Sequence, residues 1–129
     1  LNINGKNIKV PKPVAQEMNT IKTPSGKFFT LLLPDGTTVK LNAQSTFRFP
    51  SKFSSKNREV YLKGEAYFDV HHDPSHPFIV KTDYFEAKAV GTSFDVRSYD
   101  AHQASVTLVE GNLPFFVQTS KVLSMQMAL

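Results

Sequence analysis

Cysteine is absent from this 129-residue chain. No disulfide framework and no cysteine-ligated metal site is therefore available, and thiols give no reading of the redox compartment. Tryptophan is also missing, whereas phenylalanine occurs eleven times, so the core is expected to be filled by rings without a polar handle. No apolar run approaches the roughly 20 residues of a membrane-spanning helix, no signal peptide is visible, and Leu1 is not an initiator methionine. The motifs of common catalysts are missing as well. Gly91-Thr92-Ser93 lacks the second glycine of a nucleophile elbow, and no phosphate-binding loop or dinucleotide fingerprint occurs. With no cysteine, a nucleophile would have to be a serine served by a histidine and a carboxylate, and no such set is marked. No catalytic residue and no cofactor is expected.

What is present is alternation punctuated by glycine. Gly36, Gly64, Gly91 and Gly111 each sit in a strand-like run: Leu33 to Leu41, Val60 to Val70, Ala89 to Val96 and Val106 to Gly111. A glycine inside a strand pattern marks a turn, a bulge or a close backbone approach, because it alone enters positive φ without a Cβ penalty. Asp35, Gly36, Gly64, Gly91 and Gly111 are therefore read as turn and bend positions. The length suits one domain, and a chain of this size buries roughly two-thirds of its unfolded surface. The expected fold is all-β, a single domain of bent antiparallel strands. A two-sheet sandwich and a short β-roll explain the pattern equally well.

Residues 1–18, with Gly5, Pro11, Pro13 and scattered lysines, read as an extended lead-in. The first hairpin runs from Lys27 to Asn42: Phe29, Leu31 and Leu33 share one phase, Pro34-Asp35-Gly36 turns, and Thr37, Val39 and Leu41 return. Ser45 to Phe49 is a short strand, followed by a polar loop in which Phe53 is expected to tuck back. In the longest alternation, Val60, Leu62, Gly64, Ala66, Phe68 and Val70 share one face, and a bend at Gly64 divides a run too long for one ordinary strand. Past a turn at His72 to Pro77, Phe85, Ala87 and Ala89 alternate up to Gly91, after which Phe94 and Val96 carry the opposite parity, as an inserted residue would require. The expected core is Leu31, Leu33, Val39, Leu41, Val60, Leu62, Phe68, Val70, Phe78, Val80, Phe94, Val96, Val106 and Leu108. Residues 112–129 form an atypical or truncated segment, strand or short helix.

The net charge is +4, but the basic residues are dispersed. Lys6, Lys9, Lys12, Lys22 and Lys27 spread through the first quarter, Lys52, Lys56 and Arg58 bracket the serine-rich loop, and the phenylalanines fall on apolar phases. A nucleic-acid surface would concentrate cations on one face with exposed rings between them, so no nucleic-acid partner is expected. His71, His72, Asp73 and His76, with His102 elsewhere, suggest a metal, yet strand neighbours point to opposite faces and cannot converge. Solvated turn histidines are expected, and no metal. Glu65 and Asp69 could be a glycosidase pair, but residues four apart on one strand lie about 13 Å apart, outside the working window of such pairs. Structural capping or a partner contact is the better reading. Exposed Tyr61, Tyr67, Tyr84 and Tyr99 leave one alternative function, a non-catalytic carbohydrate-binding sandwich with its tyrosines in a strip.

In order and spacing, the glycine runs resemble the periplasmic domain of FecR-type anti-sigma regulators. The matching boxes are Pro34-Asp35-Gly36-Thr37 with Leu41-Asn42-Ala43, Gly64 to Phe68, Pro77-Phe78, Gly91 to Phe94, and Thr107 to Gly111. The resemblance covers about residues 19–111. It implies a periplasmic sensor domain, cut free of a single-pass inner-membrane parent. The parent would hold an extracytoplasmic-function sigma factor through a missing cytoplasmic part and sense the signalling domain of a TonB-dependent outer-membrane receptor. The membrane would be touched only through the missing anchor. The stretch after Gly111 would leave a sheet edge open, where a homodimer could form by strand pairing.

Overall fold

The computed structural model describes residues 17–111 and 115–119, together with the backbone of short strands at 2–3, 6–7 and 124–127. The expected lead-in falls largely outside the described residues. Within it, β1 (Asn2–Ile3) and β2 (Lys6–Asn7) pair with each other. The domain proper comprises β3 (Met18–Lys22), β4 (Phe29–Leu32), β5 (Thr38–Leu41), β6 (Thr46–Pro50), β7 (Arg58–Lys63), β8 (Glu65–Asp69) and β9 (Phe78–Lys81). It continues through β10 (Phe85–Ala89), β11 (Thr92–Ser98), β12 (Ala104–Gly111), β13 (Phe115–Thr119) and β14 (Ser124–Met127). Among the described residues, helical structure is limited to one 3₁₀ turn at Ala101–Gln103, capped by the Asp100 carboxylate.

The fold is all-β, as the alternation implies. Six strands form sheet I in the order β13-β10-β9-β7-β6-β3, and six form sheet II in the order β14-β12-β11-β8-β5-β4. Most neighbours are antiparallel. β7 and β9 pair in parallel because β8 between them lies in the other sheet, and β12 and β14 pair in parallel around β13 for the same reason. The molecule is thus a sandwich containing two roll-like coils. The backbone after Gly111 does not leave the sheets unfinished: β13 pairs with β10 and β14 with β12.

The long alternating run does not stay in one sheet. It enters as β7 of sheet I and leaves as β8 of sheet II, with Gly64 at the corner. Its φ of +122° is a conformation side-chain-bearing residues rarely adopt, and a Cβ there would come within 2.7 Å of the Ser45 Cα. The corner is tied by short polar bonds. The Ser98 N–H donates to the Gly64 carbonyl at 2.6 Å, and the Glu65 N–H donates to the Ser45 hydroxyl at 3.0 Å. Gly91 occupies the second such corner, between β10 and β11, where a Cβ would meet the His72 Cα at 2.9 Å. The parity change seen in sequence arises from this crossing between sheets. The register shift between Ser93 and Phe94 lies in the pairing with β12, where Val109 is the extra residue.

Alternation places Val39, Leu41, Phe47, Val60, Phe68, Phe78, Val80, Phe94, Val96 and Val106 in the core with no exposed surface. Phe68 is central: its ring stacks on Phe94 at 5.3 Å between centroids, and lies 5.8 Å from Phe78 and 5.9 Å from Phe47. Phe53 packs edge-on to Phe78 from the serine-rich loop. Leu31 is only half-buried and Phe29 is 38% exposed, although both share the inward phase. β4 is the edge strand of its sheet, and the sandwich is open there.

Candidate functional site

The turn boxes converge at one end of the molecule. Pro34-Asp35-Gly36 forms a three-residue hairpin loop: Gly36 N–H donates to the Leu33 carbonyl at 3.0 Å, Leu33 N–H donates to the Thr37 carbonyl at 2.8 Å, and Gly36 takes φ +94°. Asp35 accepts from the Thr37 N–H at 3.0 Å and hydroxyl at 2.6 Å. Its second role comes from Arg58, whose Nη1 donates to Asp35 Oδ2 at 2.7 Å. The same guanidinium donates to the carbonyls of His71, His76 and Asp73 at 2.8, 2.6 and 3.3 Å and lies over the Phe78 ring. Arg58, read from sequence as a loop cation, is 2% exposed. The signal was present: Arg58 shares the inward phase of Val60 and Leu62.

The histidines do not converge. The His71 ring covers Gly36, His72 packs beside Gly91, and His76 Nδ1 bonds Asp73 Oδ2 at 2.8 Å. That bond holds the Asp73 carboxyl below its ordinary value. Among the described residues no group of three or more histidine or acidic side chains is placed to hold a metal. Gly111 ends β12 opposite Thr92.

The tyrosines do not form a strip either. Tyr61 lies on the outer face of sheet I beneath Arg48, and Tyr67 lies on the outer face of sheet II beside Lys40. Tyr84 packs against the core, and the Tyr99 hydroxyl donates to the Ala43 carbonyl at 2.6 Å. The arrangement that would favour sugar stacking is not made.

The outer faces differ in charge. Sheet I presents Lys22, Arg48, Lys63, Lys81 and Lys88 against Glu59 and Glu86, with Lys81 bridging both carboxylates at 3.4 and 3.8 Å. Sheet II presents Glu65, Asp69 and Asp95 against Lys40 and Arg97. Glu65 and Asp69 do not act as a pair: Glu65 accepts from Asn42 Nδ2 at 3.1 Å, and Asp69 accepts from the Ser93 hydroxyl at 3.1 Å. Glu65 is instead coupled to Asp95, which stands opposite Tyr67 on the neighbouring β11. Burial, then the hydrogen bond and negative charge of Glu65, push the Asp95 carboxyl up to about 8, against a smaller opposing effect of Arg97. Sequence reading missed this pair because its members lie on different strands. Beside it is a hollow of about 300 Å³ lined by Phe28, Lys40, Asn42, Glu65, Tyr67 and Asp95.

Residues 19–113 match the family model described as FecR protein. Two crystal structures of a candidate anti-sigma factor from Parabacteroides distasonis share the fold. One is 35% identical with a TM-score of 0.76 over 82% of this chain, the other 36% identical with a TM-score of 0.74 over 81%. The chain spans about half the length of these structures, 49% in each case. Comparison with curated proteins finds no match. Among the described residues no helix is long and apolar enough to cross a membrane.

Proposed function

Because the chain belongs to the FecR family of anti-sigma regulators, we propose that it is the periplasmic sensor domain of a single-pass inner-membrane protein. It relays a signal from a TonB-dependent outer-membrane receptor to an extracytoplasmic-function sigma factor, and it does so through protein contacts, without catalysis. Residues 19–111 are the sensing domain and residues 1–18 the lead-in. Asp35, Gly36, Gly64, Gly91 and Gly111 serve its turns and corners. The observation that carries this reading is the shared sandwich, at 35% identity over 82% of the chain, with a candidate anti-sigma factor. The boxes that carry the family likeness coincide with the Arg58 clasp and the glycine corners, so they specify the fold and leave the sheet faces and edges to partners.

The test is calorimetry of the chain against the signalling domain of the receptor that activates the same sigma factor, paired with a sigma-dependent reporter in cells carrying the intact parent. Binding is expected, and substitutions that abolish it should uncouple the reporter from the receptor's ligand. A reporter that responds normally after residues 19–113 are deleted in frame would overturn the assignment.

A further inference from the structure

We propose that the outer face of sheet II, at its β4 side, docks a partner protein segment that seats an arginine side chain on Glu65 and Asp95. The inference rests on the reading that this domain works through protein contacts.

The hollow beside the acidic pair is bounded by side chains suited to a guanidinium. Tyr67 and the exposed Phe28 offer ring faces, and the two carboxylates offer acceptors on diagonal positions of adjacent strands. A planar fork of N–H donors fits paired carboxylates better than an ammonium does. The charged groups facing Asp95 are Lys40 on β5, Glu65 and Tyr67 on β8 and its own strand neighbour Arg97. Lys40 lies over the Tyr67 ring and Arg97 donates to Gln103. A proton, more than either cation, compensates the pair, which is why Asp95 titrates so far above its ordinary range. An arriving arginine would displace that proton.

A second observation fixes where the segment lies. Phe28 is 74% exposed and Leu32 is 77% exposed, both at the β4 end of this face, and β4 pairs with no strand among the described residues on its outer side. Apolar side chains flanking the arginine would cover them. Charge complementarity argues for a basic occupant at this place. The chain is net positive, so a basic segment is repelled by the lysine-rich face of sheet I and attracted only where Glu65, Asp69 and Asp95 gather.

The probe is a phage library of random nonapeptides selected on the intact chain, followed by calorimetry with the synthesised winners. Enriched peptides should carry an arginine flanked by apolar residues. Affinity should rise with pH as the shared proton is released, and should fall about tenfold in E65Q/D95N and in L32S, while K63S on the other face changes nothing. D95N relieves a buried carboxylate, so a loss of binding there is not a loss of folding. Selected peptides without arginine, binding indifferent to both E65Q/D95N and L32S, or no enrichment would overturn the proposal. So would sedimentation showing a dimer that L32S dissolves, since a second copy would then own this face. A receptor domain that binds wild type and L32S alike would overturn it too, while leaving the sensor assignment standing.

Discussion

Burying a guanidinium is unfavourable unless its donors find acceptors, and Arg58 meets that condition with one carboxylate and three carbonyls drawn from two loops. Removing one partner strands the others. Arg58→Ala should therefore destabilise the domain by about 3–5 kcal/mol, measured by urea denaturation. Arg58→Met with Asp35→Ala should recover part of the loss, because no lone charge remains. A loss no larger than that of an exposed lysine would show that the clasp does not hold the loops. Asp95 makes the opposite kind of prediction. A carboxyl raised from 3.8 to about 8 keeps its proton in the folded state where the unfolded chain has released it. The native state binds more protons in that interval, so the Asp95 contribution falls as pH rises from the ordinary aspartate range through about 8. Asp95→Asn should remove this slope, leaving the variant relatively more stable above pH 8 than in acid. Parallel stability profiles of wild type and variant would refute it.

Elements were legible where burial obeys a period of two. The inward phases of β5, β7, β8, β10 and β11 follow directly from the sequence because both their neighbours and the facing sheet cover them. Phe29 broke the pattern because an edge strand lacks that cover. The corners were legible as bends but not as passages between sheets, since alternation continues through Gly64 whether or not the chain changes partners. The candidate site was not legible: Asp95 and Glu65 meet through strand pairing across thirty residues of sequence. At Gly64 the corner itself can be tested. Gly64→Ala adds a Cβ against Ser45 at a positive φ and should cost about 1–3 kcal/mol from backbone strain alone. Ser45→Gly in the same chain should return the steric part and leave the strain. If Gly64→Ala is neutral by thermal unfolding, the corner is not constrained as described.

At the scale of the whole molecule, the two sheets are held face to face by one ring cluster around Phe68, which touches Phe47, Phe78 and Phe94. Phe68→Ala should cost about 3–5 kcal/mol and should lower hydrogen-exchange protection in β7 and β11 together, because the cavity opens to both sheets. Protection lost in one sheet alone would mean that the sheets unfold independently. The strand orders of the two sheets run side by side, with β3 and β4 at one flank and β13 and β14 at the other. Chain leading into β3 and chain leaving β14 are thus separated by five inter-strand spacings of about 4.8 Å each. Anything that grips the β4 flank sits beside the incoming chain and far from the outgoing one. The sandwich would then behave as a rigid spacer with a handle at its entry side, able to pass on a pull or a steric block without rearranging its core.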